Sequence, residues 1–238
     1  MLILALESSA TACSVALNRD GELIAHAYQH SGLTHSRTLL PMVNNVLTSC
    51  AESMEHVDVV AVAAGPGSFT GLRIGVATAK GLAWPQDKPC APCSTLESMA
   101  WPLAHLEDTV IVCAMDARRK QVYNALFLAK DGGLERLCPD RAIGLDELGE
   151  ELNILEKKKV VVGDGAQLCY NAFKQAGVPA VVMPPHLVYQ TAWGVARAAL
   201  ELARKGETVT AAELMPVYHR LSQAERERAE KLKEKKGE

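Results

Sequence analysis

A glycine-rich segment between two apolar stretches carries residue types that bind anions. In AAGPGSFTGLRIG, residues 63–75, Gly65 and Gly67 follow a run of strand-forming residues, and Gly71 opens a stretch with helical spacing. Glycines let a ligand approach the backbone, and the free N–H groups at a helix N-terminus attract negative charge. Two hydroxyls and one guanidinium add donors, so the candidate nucleotide- or anion-binding residues are Gly65, Gly67, Ser68, Thr70, Gly71 and Arg73.

The spacing of these glycines differs from the standard phosphate-binding motifs. Gly65, Gly67 and Gly71 form GxGxxxG rather than GxGxxG, and no Gly-Lys-Ser/Thr follows as in a P-loop. A plain tight turn uses the same residue types, so this alternative stays open.

Composition limits the class of protein. The 238 residues are 48% hydrophobic, which is enough to fill the core of one large domain or two small ones. The net charge of -3 provides no uniform basic field to hold RNA. No stretch has the roughly 18 apolar residues that span a bilayer, and the first residues do not resemble a secretory signal. We therefore expect a cytoplasmic protein without membrane contact.

The seven cysteines indicate reduced thiols rather than a disulfide framework. Cys90 and Cys93 form a CxxC pair, which could be half of a zinc site or a redox pair. Because a structural zinc site usually needs a second pair, we expect these two residues to be buried and structural.

Hydrophobic periodicity predicts the same order of elements in both halves of the chain. In the first half we expect strands at 2–6, 12–18, 22–30 and 57–65, helices at 34–50 and 71–84, a short strand at APCS, and a helix opened by a capping box of Ser94 and Glu97. In the second half we expect strands at 109–115, 121–129, 134–138, 159–163 and 179–183, and helices at 146–156, 165–176 and 190–204. Each half therefore has the order βββαβαβα.

Equivalent positions support a duplication. Glu7 and Asp116 end the first strand of each half, and the fourth strands are followed by the pairs Gly65 and Gly67, and Gly163 and Gly165. We predict an α/β fold of two lobes that face each other across a cleft. The predicted units are an N-terminal lobe at 1–104, a C-terminal lobe at 105–220 and a charged, solvated tail at 221–238.

Several segments together resemble the TsaB family, also called YeaZ. They occur in the order LALESSATACSVAL, THSRTLLPMV, GPGSFTGLRIGVATAKGLA, MDARRKQVY, VVGDG and LMPVYHR, and they cover the chain to about residue 220. The resemblance implies the actin-like/Hsp70-like (ASKHA) ATPase fold. It also implies a role in bacterial tRNA threonylcarbamoyladenosine (t6A) synthesis. A catalytic relative, TsaD, transfers a threonylcarbamoyl group to N6 of the adenosine next to the anticodon, and TsaB-type proteins are its obligatory partners, assisted by the ATPase TsaE.

The histidine pattern favours the partner over the catalyst. The catalytic relative has an HxxxH metal motif, because residues four apart lie on one helical face and can share an ion. Here His35 matches the first position, but Leu39 stands at the second and cannot be a ligand. We therefore expect no catalytic residues and no metal site, and a surface or capping role for His35.

Acidic residues leave an alternative open. In kinases of this fold an acid at the first strand end helps to position metal-bound phosphate, and Glu7 or Asp116 could do so here. We favour a structural role for both, because hydrogen-bond and ion-pair partners stand nearby in sequence. Those partners are Ser8, Ser9, Arg118 and Arg119.

Two predicted helices, 34–50 and 71–84, are candidates for a partner surface. The second is apolar on nearly all sides, so it needs cover on all sides, either from this chain alone or also from a partner. The resemblance implies a helical bundle with TsaD, or with a second copy when TsaD is absent. The predicted interface residues are Leu39, Leu40, Val43, Leu72, Gly75, Val76 and Ala79. Gly75→Glu or Ala79→Glu is expected to weaken both associations and to leave the fold intact.

Two functions therefore compete. The leading hypothesis is an accessory scaffold that requires no cofactor and meets tRNA only through the complex. The alternative is a stand-alone ASKHA-type enzyme that hydrolyses a nucleotide or transfers a phosphoryl group, with ATP or another nucleotide bound by the glycine loops.

Overall fold

A computed structural model describes residues 1–219, which form two β-sheets with helices between and outside them. The first half has strands β1 (Leu2–Glu7), β2 (Cys13–Arg19), β3 (Glu22–Gln29), β4 (Val59–Gly65) and β5 (Cys90–Ser94). Its helices are α1 (His35–Ser49), α2 (Phe69–Ala83) and α3 (Thr95–Ala100).

The second half repeats this plan with two additions. Its strands are β6 (Thr109–Asp116), β7 (Gln121–Lys130), β8 (Gly133–Arg136), β9 (Arg141–Gly144), β10 (Lys158–Val162) and β11 (Val181–Val182). Its helices are α4 (Leu145–Asn153), α5 (Ala166–Gln175), α6 (Pro185–Val188) and α7 (Ala192–Lys205). The short elements β9 and α6 are absent from the predicted order.

The two sheets have equivalent topology. The first sheet has the strand order β3-β2-β1-β4-β5, and the main path of the second is β8-β7-β6-β10-β11, with β9 pairing β7. In both, the first strand pairs antiparallel with the next strand, β1 with β2 and β6 with β7, and parallel with the strand after the first helix, β1 with β4 and β6 with β10. The predicted duplication is therefore present in the strand pairing as well as in the element order.

Each half lends one helix to the sheet of the other half. Helix α7 packs its alanine-rich face on β1, β2, β4 and β5 of the first sheet. Helix α3 packs against β6 and β7 of the second sheet, where Leu96 and Met99 join the core. The two helices touch, and Gly194 of α7 lies against the backbone of Ser98. The lobe boundaries at 1–104 and 105–220 stay a prediction.

The outer faces of both sheets are covered by helix pairs. Leu2, Leu4 and Leu6 alternate toward α1 and α2, whereas the intervening side chains of β1 face α7. On the second sheet α4 and α5 take the corresponding place. The layers thus run α1/α2, first sheet, α7/α3, second sheet, α4/α5, and the strand ends between the sheets form the cleft described below.

Both residues of the CxxC pair lie in β5. Cys90 and Cys93 are buried and free, and burial raises the pKa of both thiols. This placement confirms that they are core residues. Across residues 1–219 no helix combines the length and the apolar character needed to cross a membrane. The predicted tail at 221–238 lies outside the described residues.

Candidate functional site

A cleft of about 480 Å³ opens between the two sheets. Its walls come from the loop after β1, the loop before α2, the end of β6 and the start of the α5 segment. The described lining residues are Ser9, Ala10, Thr11, Pro66, Gly67, Ser68, Phe69, Met115, Asp116, Ala117, Arg118, Tyr123, Asp164, Val217, Tyr218 and His219.

Three carboxyl groups converge behind and along this cleft. Glu7 ends β1 and is fully buried, Asp116 ends β6, and Asp164 follows β10. Burial raises the pKa of Glu7 to about 7, against the hydrogen bond that Oε1 accepts from the Ser9 amide at 2.6 Å. Burial also raises the pKa of Asp164 to about 6, and the neighbouring Asp116 charge adds to this. The acids therefore give the site negative charge, and their raised pKa values let Glu7 and Asp164 bind protons near neutral pH.

The predicted partners of two of these acids are partly confirmed. Ser9 donates to Glu7, and both the backbone amide and the guanidinium of Arg118 donate to Asp116, at 2.7 and 3.3 Å. Asp164 was missed as a site residue by sequence reasoning. The sequence feature that could have identified it is its position between Gly163 and Gly165, a glycine pair equivalent to the pair after β4.

Other atoms of the chain fill the space beside the glycines of the first loop, where side chains would lie. A Cβ atom on Gly67 would lie 2.6 Å from the Ser9 carbonyl oxygen, and one on Gly71 would overlap the Ser8 carbonyl oxygen. The Ser68 amide donates to the Ser9 carbonyl at 2.6 Å, and the Ser68 hydroxyl caps α2 by accepting from the Gly71 amide at 3.3 Å. These glycines therefore seat α2 against the loop after β1.

The space beside Gly65 is filled by Val217, from the C-terminal part of the chain. Its φ of 145° lies outside the range that other residues favour, and the Val217 carbonyl occupies the space of its missing side chain. The Val217 amide donates to the Ala64 carbonyl at 2.7 Å. Residues 217–218 thus lie against the glycine loop and the start of α2.

Aromatic stacking holds that C-terminal segment. Tyr218 stacks on Phe69 with ring centroids 4.8 Å apart, and its hydroxyl accepts from Arg73 Nε at 3.1 Å. The Arg73 guanidinium lies 3.8 Å over the Phe69 ring. The cation predicted for an anion site is therefore engaged within the chain.

The structure gathers only part of the predicted anion site. Gly67 and Ser68 are among the described cleft residues. The other four candidates are not: Gly65 and Gly71 are buried, whereas Thr70 and Arg73 are exposed on the outer side of α2. The prediction that all six surround one ligand stays untested, but the contacts made by the glycines are internal.

Comparisons with known proteins identify the family. A family model described as TsaD, tRNA N6-adenosine threonylcarbamoyltransferase, matches residues 29–227. The Escherichia coli (strain K12) protein named tRNA threonylcarbamoyladenosine biosynthesis protein TsaB is 33% identical over 222 residues, which is 92% of this chain and 95% of the relative. The Bacillus subtilis (strain 168) protein of the same name is 36% identical over 168 residues, or 71% and 73% of the two chains. This chain belongs to the TsaB (YeaZ) family.

Solved structures agree with this assignment. The structure described as YeaZ from Pseudomonas aeruginosa is 26% identical to our TsaB-family chain, with a TM-score of 0.79, and it covers 91% of this chain and 99% of that one. Component A of (R)-2-hydroxyglutaryl-CoA dehydratase from Acidaminococcus fermentans is 13% identical with a TM-score of 0.52, covering 86% and 99%, and shares the fold. The predicted α/β ASKHA fold class is confirmed.

The structure places His35 and Leu39 of this TsaB-family chain in different surroundings. His35 begins α1, and its Nε2 lies 2.6 Å from the Ala10 carbonyl oxygen. Leu39, one turn later, is 1% exposed and packs in the core under α1. Among residues 1–219, no group of three or more His, Cys, Asp or Glu side chains is placed to hold a metal ion.

The predicted interface residues of the TsaB-family chain need correction. Leu40 is 47% exposed, but the other six are buried within the chain, namely Leu39, Val43, Leu72, Gly75, Val76 and Ala79. They pack between α1, α2 and the first sheet because an apolar stripe faces the nearest apolar surface, here the sheet. The expectation that Gly75→Glu and Ala79→Glu leave the fold intact is wrong. A Cβ atom at position 75 would already lie 2.5 Å from Ser8 Oγ.

Proposed function

We propose that this chain is a non-catalytic accessory subunit of t6A synthesis in the cytoplasm. In this function it binds and activates a TsaD-type catalytic subunit, with the help of a TsaE-type ATPase. The complex then transfers a threonylcarbamoyl group from its adenylate to N6 of the adenosine next to the tRNA anticodon, and AMP leaves. The names of the curated relatives support this process for the family.

The observation that carries the non-catalytic role is the environment of position 39. An HxxxH site needs its second imidazole free to meet an ion on the open side of the helix. Leu39 instead turns into the apolar core, and His35 faces a backbone carbonyl. Restoring a histidine at position 39 would bury it against the first sheet rather than complete a site.

A second candidate function is a stand-alone nucleotide-hydrolysing or phosphoryl-transferring enzyme. Asp116 and Asp164, which line the cleft in front of the buried Glu7, favour it, because one or two carboxylates together with phosphate oxygens and water are enough to hold Mg²⁺. The occupied glycines weigh against it, since the backbone at Gly65, Gly67 and Gly71 contacts the chain itself. We therefore rank it below the accessory role and assign no required cofactor and no metal. ATP or another nucleotide in the cleft stays a prediction.

The partner surface is assigned to the open sides of α1 and α2. Ala77 and Gly81 on α2 and Trp84, the residue that caps its C-terminus, follow one another at spacings of four and three residues, and all are exposed. Such spacing places them on one helical face, and the small residues permit close approach of another helix. Leu40 of α1 is also exposed, and Trp84 exposes 62% of its surface. The same face would pair two copies of the chain when the TsaD-type partner is absent.

The decisive test is reconstitution of threonylcarbamoyl transfer to an unmodified tRNA transcript. The chain alone is expected to be inactive, a TsaD-type subunit alone to be weak, and the two with a TsaE-type ATPase to be active. Activity of this chain alone, or full activity of the partners without it, would overturn the accessory role.

A binding control separates direct from composite tRNA recognition. With 25 basic and 28 acidic residues, the isolated chain is expected to bind tRNA weakly at physiological salt. A tight gel shift of the isolated chain that disappears with added salt would contradict this part of the proposal.

A further inference from the structure

The hairpin loop between β6 and β7 presents a run of positive charge. Residues 117–120 read Ala-Arg-Arg-Lys, and the side chains of Arg118, Arg119 and Lys120 are exposed. The whole chain has a net charge of -3, so three adjacent exposed cations form a local patch of positive charge on an otherwise mildly acidic protein.

The backbone of this loop is fixed at both ends. The Ala117 amide donates to the Gln121 carbonyl at 3.0 Å, and the Gln121 amide donates to the Arg118 carbonyl at 3.2 Å. The Lys120 carbonyl accepts from the Leu145 amide at 3.2 Å. The loop is therefore held as a tight tip from which the cationic side chains project.

The backbone conformation is one that arginine and lysine disfavour. Arg118, Arg119 and Lys120 have φ values of 66°, 56° and 58°. Glycine and asparagine adopt this left-handed region more easily, because the Cβ atom of other residues approaches the carbonyl oxygen. Local backbone preference therefore does not account for three long cations in succession at these positions.

Internal ion pairing explains only one of the three charges. Arg118 pairs with Asp116, with Nη1 and Oδ2 3.3 Å apart. Within the part of the chain that the structure describes, Arg119 and Lys120 make no salt bridge and no side-chain hydrogen bond. Two cations are thus left to face solvent or a partner.

The loop stands at the rim of the cleft. Asp116, Ala117 and Arg118 form part of the cleft wall opposite Ser68 and Phe69 at the start of α2. Asp116 and Asp164 line the cleft, so an anion that enters it meets these two acids, whereas an anion that stays outside meets the exposed Arg119 and Lys120. This arrangement favours an extended polyanion that lies across the rim over a small anion that must enter the cleft.

We infer that Arg119 and Lys120 contact phosphate groups of the tRNA held by the complex with the TsaD-type subunit. The inference rests on the proposed function, and it names the part of this chain that meets the RNA. Arginine and lysine contacts to phosphate position an RNA without reading its sequence, which suits an accessory subunit.

The test is the salt dependence of tRNA binding by the complex with the TsaD-type subunit, measured by fluorescence anisotropy. The variant is Arg119→Asn/Lys120→Asn, because asparagine removes the charge and tolerates the left-handed backbone. We expect its affinity for tRNA to fall about tenfold or more at 0.1 M salt, and the salt slope to fall by about 1 for each cation removed. The variant is expected to unfold at the same temperature or a higher one, since backbone strain is relieved.

The matched control is Arg204→Gln/Lys205→Gln, which removes one arginine and one lysine from the last turn of α7. These residues lie at the opposite end of the first sheet, where Arg204 acts on Asp20 beside the N-terminus. This control is expected to keep the affinity for tRNA and the salt slope of the wild type.

The outcomes separate the loop assignment from the proposed function. Unchanged affinity and slope in the loop variant, with threonylcarbamoyl transfer intact, would overturn the assignment and leave the function standing. A complex that binds tRNA through the loop but transfers nothing would contradict the function and support the assignment. Loss of ATP binding, or of association with the TsaD-type subunit, in place of tRNA affinity would also overturn the assignment, since phosphate of a free nucleotide or an acidic protein surface would then be the partner.

Discussion

The carbonyl oxygen of Ser8 occupies the space in which Gly71 would carry a side chain. The Ser8 hydroxyl also donates to the Gly71 carbonyl at 2.9 Å, so both the backbone and the side chain of Ser8 contact the first turn of α2. Gly71→Ala must therefore push the two segments apart. We expect a loss of about 3 kcal/mol in the free energy of unfolding, measured by urea denaturation.

The control for that substitution lies in the same helix. Gly81 is exposed, and nothing stands within 4 Å of an added Cβ atom. Gly81→Ala is expected to raise the free energy of unfolding by roughly 0.5–1 kcal/mol, because alanine loses less backbone entropy in a helix. Equal effects of the two substitutions would show that the Ser8 contact is unimportant.

Because of Glu7, the free energy of unfolding falls as pH rises, whereas a salt-bridged acid makes it rise with pH. Its pKa is about 7 in the fold against 4.5 in the unfolded chain, so between these values the folded state binds more protons. The stabilising effect of this excess proton is complete below pH 4.5 and is lost as pH rises through 7, with a total near 3 kcal/mol.

Glu7→Gln is the corresponding experiment. Relative to the wild type, the variant is expected to be about equally stable at pH 4.5 and more stable by up to about 3 kcal/mol at pH 8, as measured by urea denaturation. Asp164, with a pKa of about 6, gives a slope of the same sign in both proteins. Its charge also helps to raise the pKa of Glu7, so the difference between the two proteins includes this interaction. A constant difference across this range would refute the assignment of the raised pKa to Glu7.

The exposed face of α2 predicts how association can be blocked without unfolding. Gly81→Arg adds a long charged side chain beside Ala77 and Trp84, where the fold has open space. We expect at least a tenfold weaker association with the TsaD-type subunit in a pull-down titration, and a monomer in size-exclusion chromatography. Gln175→Arg, on the exposed end of α5, is the control and is expected to change neither. Normal association of Gly81→Arg would place the partner elsewhere.

Tyr218 is expected to hold the C-terminal segment on the glycine loop. Tyr218→Ala removes the stack on Phe69 and the hydrogen bond from Arg73, and should lower the free energy of unfolding by about 1–2 kcal/mol. Hydrogen exchange at the Val217 amide, which donates to Ala64, should accelerate. Tyr218→Phe keeps the ring and should slow this exchange back toward the wild-type rate. An Ala variant with unchanged exchange would mean that the stack does not hold the segment.

Local patterns predicted the elements well because each rests on residues close in sequence. The Ser94 cap is an example: its hydroxyl accepts from the Glu97 amide at 3.1 Å, as the capping pattern indicates. Helix α2 begins at Phe69 rather than at Gly71, because Ser68 caps it. Strand β9 was missed, because its four residues, Arg141–Gly144, are too few to show the alternation of apolar and polar residues that predicts a strand.

The roles of the site residues depended on contacts that no local pattern contains. The space around Gly65 is filled by Val217, which is 152 positions away in the chain, and Gly71 is matched to Ser8. Likewise, the stripe containing Leu39 and Val76 has the same helical spacing whether a partner or the chain's own sheet covers it. Sequence could therefore locate the glycine loop but could not say what fills it.

The exchange of α3 and α7 between the sheets has a consequence for synthesis on the ribosome. The face of the first sheet that carries Ile3 and Ala5 is covered by α7, which ends at Lys205. Translation proceeds from the N-terminus, so this apolar face is synthesised early. It stays exposed to solvent while most of the chain is still being added. The first half of the nascent protein therefore cannot finish folding until α7 has been made.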